Sequence, residues 1–429
     1  MLAAWKKNNY YFGAGVLEKI GELAGRAGKS ALLAAGRPGA GQWIQPIIEK
    51  VKTSLKNEGV FILDVIDGAS PNSPKEDVYR IANQITKLCP DSIIAVGGGS
   101  TIDAAKAAVV ISALRSDDVE DYFGVGFVTK KLQEEEKKLP PFIAVQTAAS
   151  SGAHLTKYSN ITDPVKAQKK LIIDEAITPP FALFDYTTVK NAPYSLKADG
   201  ALDGISHCIE VVCGATGQPF FEKTMEIAEA GISLIVENLP LALEQSADND
   251  AVESLGLGTD MGGYAIMIGS TNFSHLFSFS LVNKITHGRA CAIANPYVLV
   301  FFAPAIQPQL KLFGSIFARA GYISERVEKY SGRKLGIIVA RGMLKFLEKI
   351  RFPVTFAELG VTADDKNRIL NAVKNPQLWS KLEQAPVLLI KHNNDGSIDV
   401  AGTEHNIDKY LGKLIDAVIS GDLDSIEVL

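Results

Sequence analysis

The chain has 429 residues, 47% of them hydrophobic, and a formal charge of -4 from 44 basic and 48 acidic side chains. That length suggests about two or three domains with sizeable apolar cores, and the mildly acidic balance argues against nucleic acid or an anionic membrane as a partner. Its 4 cysteines (Cys89, Cys208, Cys213 and Cys291) show no Cys-x-x-Cys spacing, which argues against a disulfide framework or a thiolate zinc site and suits a reduced compartment. The opening MLAAWKKNNYYFGAG has no apolar stretch of signal-peptide length. No uninterrupted apolar run approaches a membrane span. A soluble, cytoplasmic protein is therefore expected.

Along the chain, short β-rich runs alternate with helical patterns as far as about Tyr186. The expected strands are Ser30–Ala35, Val60–Val65, Ser92–Val96, Phe142–Gln146 and Phe181–Phe184. The expected helices include Gln45–Asn57, Lys75–Lys87 and Ile102–Leu114. Such alternation predicts a parallel, doubly wound α/β domain, with its ligand site at the carboxyl ends of the strands. The charge run Lys130–Lys138, KKLQEEEKK, reads as a solvated helix or excursion on the surface. After Pro193 the pattern changes. Lys197–Cys213, Phe220–Glu237 and Arg341–Ile350 read as helices with few strand signals between them. The expected organisation is an α/β domain over 1–190 and an all-helical domain over 191–429, with the boundary near Tyr186–Tyr194.

Two constellations carry chemistry. The first is IIAVGGGSTIDAAKAA, Ile93–Ala108, in which an apolar strand breaks into Gly97-Gly98-Gly99-Ser100 before a helix. Glycines let backbone N–H groups approach a ligand, and a helix N-terminus favours a phosphate. Asp103, three residues after Ser100, suggests a capping box. A pyrophosphate cradle and an ordinary strand-to-helix turn both fit this run taken alone. The second lies among the histidines. Asp203 and His207 form Asp-x-x-x-His in GALDGISHCIE, and on a helix both would share one face. His275 and His287 follow about seventy residues later. One carboxylate and three imidazoles suit Fe²⁺ or Zn²⁺ better than Mg²⁺ or Ca²⁺. Taken alone, the Asp203/His207 pair reads more readily as a structural pair, and so do His275 and His287. His392 and His405 read as surface residues, and Cys208 points to another face than His207.

Together these pieces resemble the iron-containing (group III) alcohol dehydrogenase family over nearly the whole chain. FGAGVLEKIGEL is similar to the family's opening, and SPNSP (Ser70–Pro74) to its PNP segment. GGGSTIDAAKA is similar to its phosphate loop. QTAASSGAHLT (Gln146–Thr156) resembles a degenerate PTTAGTGSEVT. GALDGISHCIE and THGRACAIANP (Thr286–Pro296) resemble its two metal-ligand motifs. The resemblance implies an α/β dinucleotide-binding domain, an all-α domain and a cleft between them, the fold shared with dehydroquinate synthase. It implies NAD(P) across Gly97, Gly98, Gly99 and Ser100, with Asp103 in that loop and Asn72, Thr147, Ser151 and Lys170 as further contacts. Asp203, His207, His275 and His287 would be the metal ligands. The implied reaction is hydride transfer between the nicotinamide and an alcohol or carbonyl bound to Fe²⁺ or Zn²⁺. Its partner is a small alcohol or aldehyde; many members of the family form dimers or larger homo-oligomers, and the sequence leaves the oligomeric state open.

The departures from the family pattern matter. Phe279 stands where many members carry a further His, and the spacing from His275 to His287 is short. His154 and Ala153 replace the usual Glu and Ser, and Gln146 replaces a Pro. Gly36 stands where members that prefer NAD tend to have Asp, with Arg37 beside it. That leaves room and a positive partner for a 2′-phosphate, so NADP(H) is expected over NAD(H). Phe273, Phe277, Phe279 and Tyr158 are candidate lining of an apolar pocket suited to medium-chain aldehydes, although an aromatic stripe of this kind is more often core than pocket. Two alternatives keep the fold: a glycerol dehydrogenase or maleylacetate reductase type, and a non-catalytic nucleotide-binding homologue.

Overall fold

The computed structural model describes residues 1–36, 42–165, 168–244, 248–282 and 284–429. The chain divides into two compact units. One comprises Met1–Lys197 with Ala247–Tyr264, and the other Ala198–Ser246 with Ala265–Leu429.

The first unit is built on a six-stranded sheet. Its strands are β1 (Tyr10–Gly13), β2 (Ser30–Ala35), β3 (Phe61–Asp67), β4 (Ser92–Gly97), β6 (Phe142–Gln146) and β9 (Phe181–Asp185), in the order β1-β9-β6-β4-β2-β3. A second sheet joins β5 (Gly124–Val125), β8 (Gln168–Ile173) and β7 (Tyr158–Asp163), in the order β5-β8-β7. All pairings in the large sheet are parallel. The central strands are near-continuous apolar runs because both faces are covered. Alternate residues feed two cores. Leu32, Ile93, Ala95 and Ala144 pack under the helices Lys75–Leu88 and Gly99–Leu114. Leu33, Ile94, Val96, Ile143 and Val145 pack under Ile20–Ala27 and Gln45–Asn57.

The expected parallel α/β layer is present, with strand limits that match to within two residues. β1 and the antiparallel pair β7/β8 were not anticipated. β1 is only four residues long, and β7 and β8 carry polar residues that hide the strand pattern. The helix after the glycine run starts at Gly99 rather than Ile102, because glycine's low helix propensity is overridden by the turn it leaves. The first part of the charge run falls on a short exposed helix, Phe127–Glu134, laced with Lys–Glu pairs, and the rest lies in the turn beyond it.

Among its described residues, the second unit carries helices and no strand. Tyr194–Gly214 leads into it. Phe221–Ala242, Phe273–Ser278, His287–Phe301, Gln307–Arg319 and Gly332–Lys349 follow. The last begins nine residues before the expected Arg341. Its N-terminal part has a polar Gly-Arg-Lys opening that weakens the sequence signal, yet Leu335, Val339, Met343 and Phe346 line one buried face. No helix among the described residues is long and apolar enough to cross a membrane.

His154 is buried in the first unit. Its Nε2 lies 3.0 Å from the Tyr10 hydroxyl and 3.1 Å from an Asp260 carboxylate oxygen. The Tyr10 and Tyr186 hydroxyls both donate to Asp260 Oδ2. Burial outweighs Asp260 and lowers the His154 pKa below its ordinary 6.5. Below pH 6.5 the unfolded chain therefore takes up a proton that the folded chain refuses. Stability from this residue is full above that pH and is lost as pH falls, by up to about 1.4 kcal/mol per pH unit, until the folded pKa is reached. The thermal midpoint is expected to drop more steeply below pH 6.5 in the native protein than in His154→Gln. Equal slopes would remove His154 from this account.

Candidate functional site

Two adjoining strand ends set up the glycine turns of the first unit. Register pairs Ala35 with Val96, so Gly36 and Gly97 leave the sheet side by side. The Gly36 N–H donates to the Val96 carbonyl at 2.9 Å. Since β3 lies on one side of β2 and β4 on the other, strand order reverses here, where open parallel sheets bind ligands. Thr101 ties the turns together: its hydroxyl donates to the Gly36 carbonyl and accepts from the Ala69 N–H, each at 3.1 Å. A Cβ on Gly97 would stand 2.8 Å from Thr101 Cβ, and one on Gly99 would collide with Ser151 Oγ. Gly36 has φ +70°, a conformation that disfavours most side chains. Part of this glycine pattern therefore serves packing, as an ordinary turn would require. The rest is a bare backbone at a helix N-terminus, which suits a phosphate.

The other expected cofactor contacts surround this loop unevenly. The Asn72 N–H donates to Ser100 Oγ at 3.1 Å, and the Thr147 N–H donates to the Gly97 carbonyl at 3.0 Å. The Thr147 hydroxyl is buried without a hydrogen-bond partner. Lys170, in β8, pairs with Glu120. Arg37 lies outside the described residues. Asp103 is a correction. Gly98 is the N-cap and no side chain caps the helix, so the expected capping box is absent. Glycine has no side chain to complete the box, and Asp103 accepts instead from the Asn160 N–H and side-chain amide, each at 3.1 Å. Its Oδ2 is thereby turned to β7.

The second unit gathers the expected metal ligands. Asp203 and His207 sit one turn apart on Tyr194–Gly214, with His207 Nε2 3.8 Å from Asp203 Oδ2. His275, on Phe273–Ser278, places Nε2 3.7 Å from Asp203 Oδ1. His287, the first residue of its helix, places Nε2 3.8 Å from the same oxygen. Gly288 makes this approach feasible: a Cβ there would lie 3.0 Å from Asp203 Cβ and collide with the Asp199 carbonyl. The His207 and His275 rings stack at 4.9 Å. Burial, reinforced by His275 and Lys381, pushes the His207 pKa well down, so that imidazole is neutral as a metal ligand must be.

Ring orientation is fixed by groups behind the ligands. His275 Nδ1 lies 2.7 Å from Glu210 Oε1, and His287 Nδ1 lies 2.7 Å from Ser278 Oγ. Paired at Nδ1 with a carboxylate, His275 presents Nε2 as a lone pair, and that buried nitrogen has no hydrogen-bond partner. Such a group is costly unless something satisfies it. A divalent ion would do so, and the donor set suits Fe²⁺ or Zn²⁺. Glu210 was missed in the sequence, although it lies three residues after His207 on the same helical face. Cys291, one turn after His287, was missed too: one donor atom from each of Asp203, His275, His287 and Cys291 forms a group within 4.8 Å.

The expected aromatic pocket is corrected in part. Phe273 and Phe277 are wholly buried and pack edge-on to each other, with Phe273 also against Phe301 and Phe302. Their helix is buried on every side, so they are core. Phe279, in contrast, stacks on the His287 ring at 6.2 Å, and Tyr158 lies in β7 with its carbonyl accepting from Lys106.

Comparison with known proteins places these features in a wider set. Residues 7–186 match the model of "Iron-containing alcohol dehydrogenase", and residues 197–381 match that of "Fe-containing alcohol dehydrogenase family, C-terminal". The chain is 28% identical to the NADPH-dependent butanol dehydrogenase of Clostridium saccharobutylicum, over 84% of this chain and 87% of that protein. It is 27% identical to the NAD-dependent methanol dehydrogenase of Bacillus methanolicus, over 74% and 79%. In fold it is similar to the alcohol dehydrogenase from Oenococcus oeni, with a TM-score of 0.78 at 23% identity, covering 96% and 98% of the two chains.

Glu210→Gln removes the charge behind His275 while keeping its shape. It is expected to weaken divalent-metal affinity about 10- to 100-fold, read by chelator competition on folded protein. Unchanged affinity would exclude Glu210 from the centre.

Proposed function

The chain belongs to the iron-containing alcohol dehydrogenase family, NAD(P)-linked oxidoreductases of alcohols, and from that premise we propose that Asp203, His207, His275 and His287 hold the catalytic metal ion. The supporting observation is the buried His275 Nε2, locked by Glu210, 3.7 Å from Asp203 Oδ1 and without a hydrogen-bond partner. Either Fe²⁺ or Zn²⁺ bound there would act as a Lewis acid, lowering the pKa of an alcohol or polarising a carbonyl for hydride exchange with the nicotinamide.

The chain's own residues prepare that chemistry. Asp203 contributes one negative charge, which leaves a divalent centre net positive toward an alkoxide. Glu210 and Ser278 hold His275 and His287 in the tautomer that offers Nε2. Phe279, stacked on His287, keeps an apolar surface beside the centre and offers no imidazole for proton relay. The substrates proposed are small alcohols and aldehydes. Gly97, Gly98, Gly99 and Ser100, with Asn72, Thr147, Ser151 and Lys170, are proposed to bind the coenzyme. A cytoplasmic homo-oligomer completes the proposal; none of the cysteines is in a disulfide, which accords with a reducing compartment.

Protein purified without oxygen is expected to carry about one iron or zinc per chain, as a site with one set of ligands requires. His275→Ala is expected to lose both the metal and turnover. Undiminished metal content and activity in that variant would overturn the ligand set.

NADP(H) is proposed as the preferred coenzyme, because Gly36 offers no carboxylate to repel a 2′-phosphate. Its left-handed backbone is one that Asp tolerates better than most residues. Gly36→Asp is expected to lower the ratio of kcat/KM for NADPH over NADH by about tenfold or more, through like-charge repulsion. An unchanged ratio would place coenzyme choice elsewhere.

A further inference from the structure

We propose that Cys291 is an additional ligand of the metal centre, giving it a sulfur donor that draws zinc or cobalt in preference to iron. The inference rests on the ligand reading above and extends it to a residue outside the Asp203/His207/His275/His287 set.

Geometry carries it. Cys291 follows His287 by one helical turn, so both lie on one face of His287–Phe301. Side chains on a helix lean toward its N-terminus, which tilts Sγ back toward the His287 turn. Donor atoms of Asp203, His275, His287 and Cys291 accordingly fall within 4.8 Å of one another. Cys291 is wholly buried, and its thiol approaches the Ser274 carbonyl at 3.7 Å, next to His275. The second, independent sign of a ligand is His275 Nε2, buried and without a hydrogen-bond partner in the same cluster.

The surroundings suit an added negative charge. Lys381 is buried, and its ammonium donates to Thr271 Oγ1 at 2.6 Å. Burial lowers its pKa to about 8, while Glu210 and Cys291 act to keep it charged. With a Cys291 thiolate added to Asp203, a divalent centre would be neutral rather than carry the net positive charge that Asp203 alone leaves it, and Lys381 would balance Glu210. Coordination exchanges the S–H bond for a metal–sulfur bond and releases the proton, with no change of oxidation state. Thiolate is a soft donor and shifts preference toward zinc and its analogue cobalt. Asp203, His275, His287 and Cys291 alone meet zinc's usual coordination number, and His207 adds a nitrogen to the set.

The test uses the full chain loaded with Co²⁺. Native protein is expected to show visible d–d bands together with a near-ultraviolet thiolate-to-cobalt charge-transfer band. In Cys291→Ser the charge-transfer band should vanish while d–d bands persist, and in Cys208→Ser both should remain. Zinc affinity by chelator competition is expected to fall tenfold or more in Cys291→Ser, at least the loss seen for outer partners of metal ligands. If native protein shows d–d bands without charge transfer, or if the band survives in Cys291→Ser, the sulfur ligand is overturned and the nitrogen–oxygen centre stands. If native protein takes up no cobalt, the centre itself fails and this inference with it. The native spectrum decides against the proposal even if the serine variant does not fold.

Discussion

The helical unit is organised around the burial of Asp203, His207 and His275, each under 5% exposed. Imidazole nitrogens and a carboxylate placed so deep lose their water, and each unsatisfied atom costs about 1–3 kcal/mol. The structure answers with a shell of specific partners. Glu210 takes His275 Nδ1 and also accepts from the Asn272 N–H at 2.6 Å. Ser274 donates to Asn295, and Asn295 donates to Ser206, each at 2.7 Å. These bonds knit the Tyr194–Gly214, Phe273–Ser278 and His287–Phe301 helices around the donors. What the shell leaves open is the Nε2 side of His275, where a cation is the natural complement.

Close backbone approach is the second constraint, and it recurs in both units for different ends. Gly288 lets one helix start lie against the Asp199–Asp203 turn of another, bringing His287 to Asp203. Gly97 and Gly99 let a strand end and a helix start press against Thr101 and Ser151. In each case the missing Cβ serves the position of something else: an imidazole in one unit, a bare loop of N–H donors in the other.

Departures from the family pattern also acquire physical content. His154 replaces a usual Glu, yet it is held in a buried network with Tyr10, Tyr186 and Asp260. That network ties β1 and the Asn249–Ile268 helix into the first unit. Phe279 replaces an imidazole with a ring that stacks on His287. Cys291 brings sulfur close to a centre otherwise of nitrogen and oxygen. The phenylalanine and the cysteine together make the surroundings of Asp203, His275 and His287 less polar and softer than the family motif alone implies.

Much of this was legible from the residues. Apolar runs such as SALLAA and FIAVQ specify buried parallel strands, since only a sheet covered on both faces accepts them. The glycine run and the Asp-x-x-x-His spacing mark a helix start and a shared helix face, because both depend on geometry within a few residues. Other features belong to the tertiary structure alone. Asp103 looked like a cap until the helix began at Gly98–Gly99 and β7 supplied Asn160 as its partner. Phe273 and Phe277 looked like pocket until their helix proved buried on every side. Glu210, Ser278 and Cys291 gain meaning only from what stands opposite them. A sequence encodes spacing along one element, whereas hydrogen-bond partners, burial and donor distances arise where elements remote in sequence are brought together by packing.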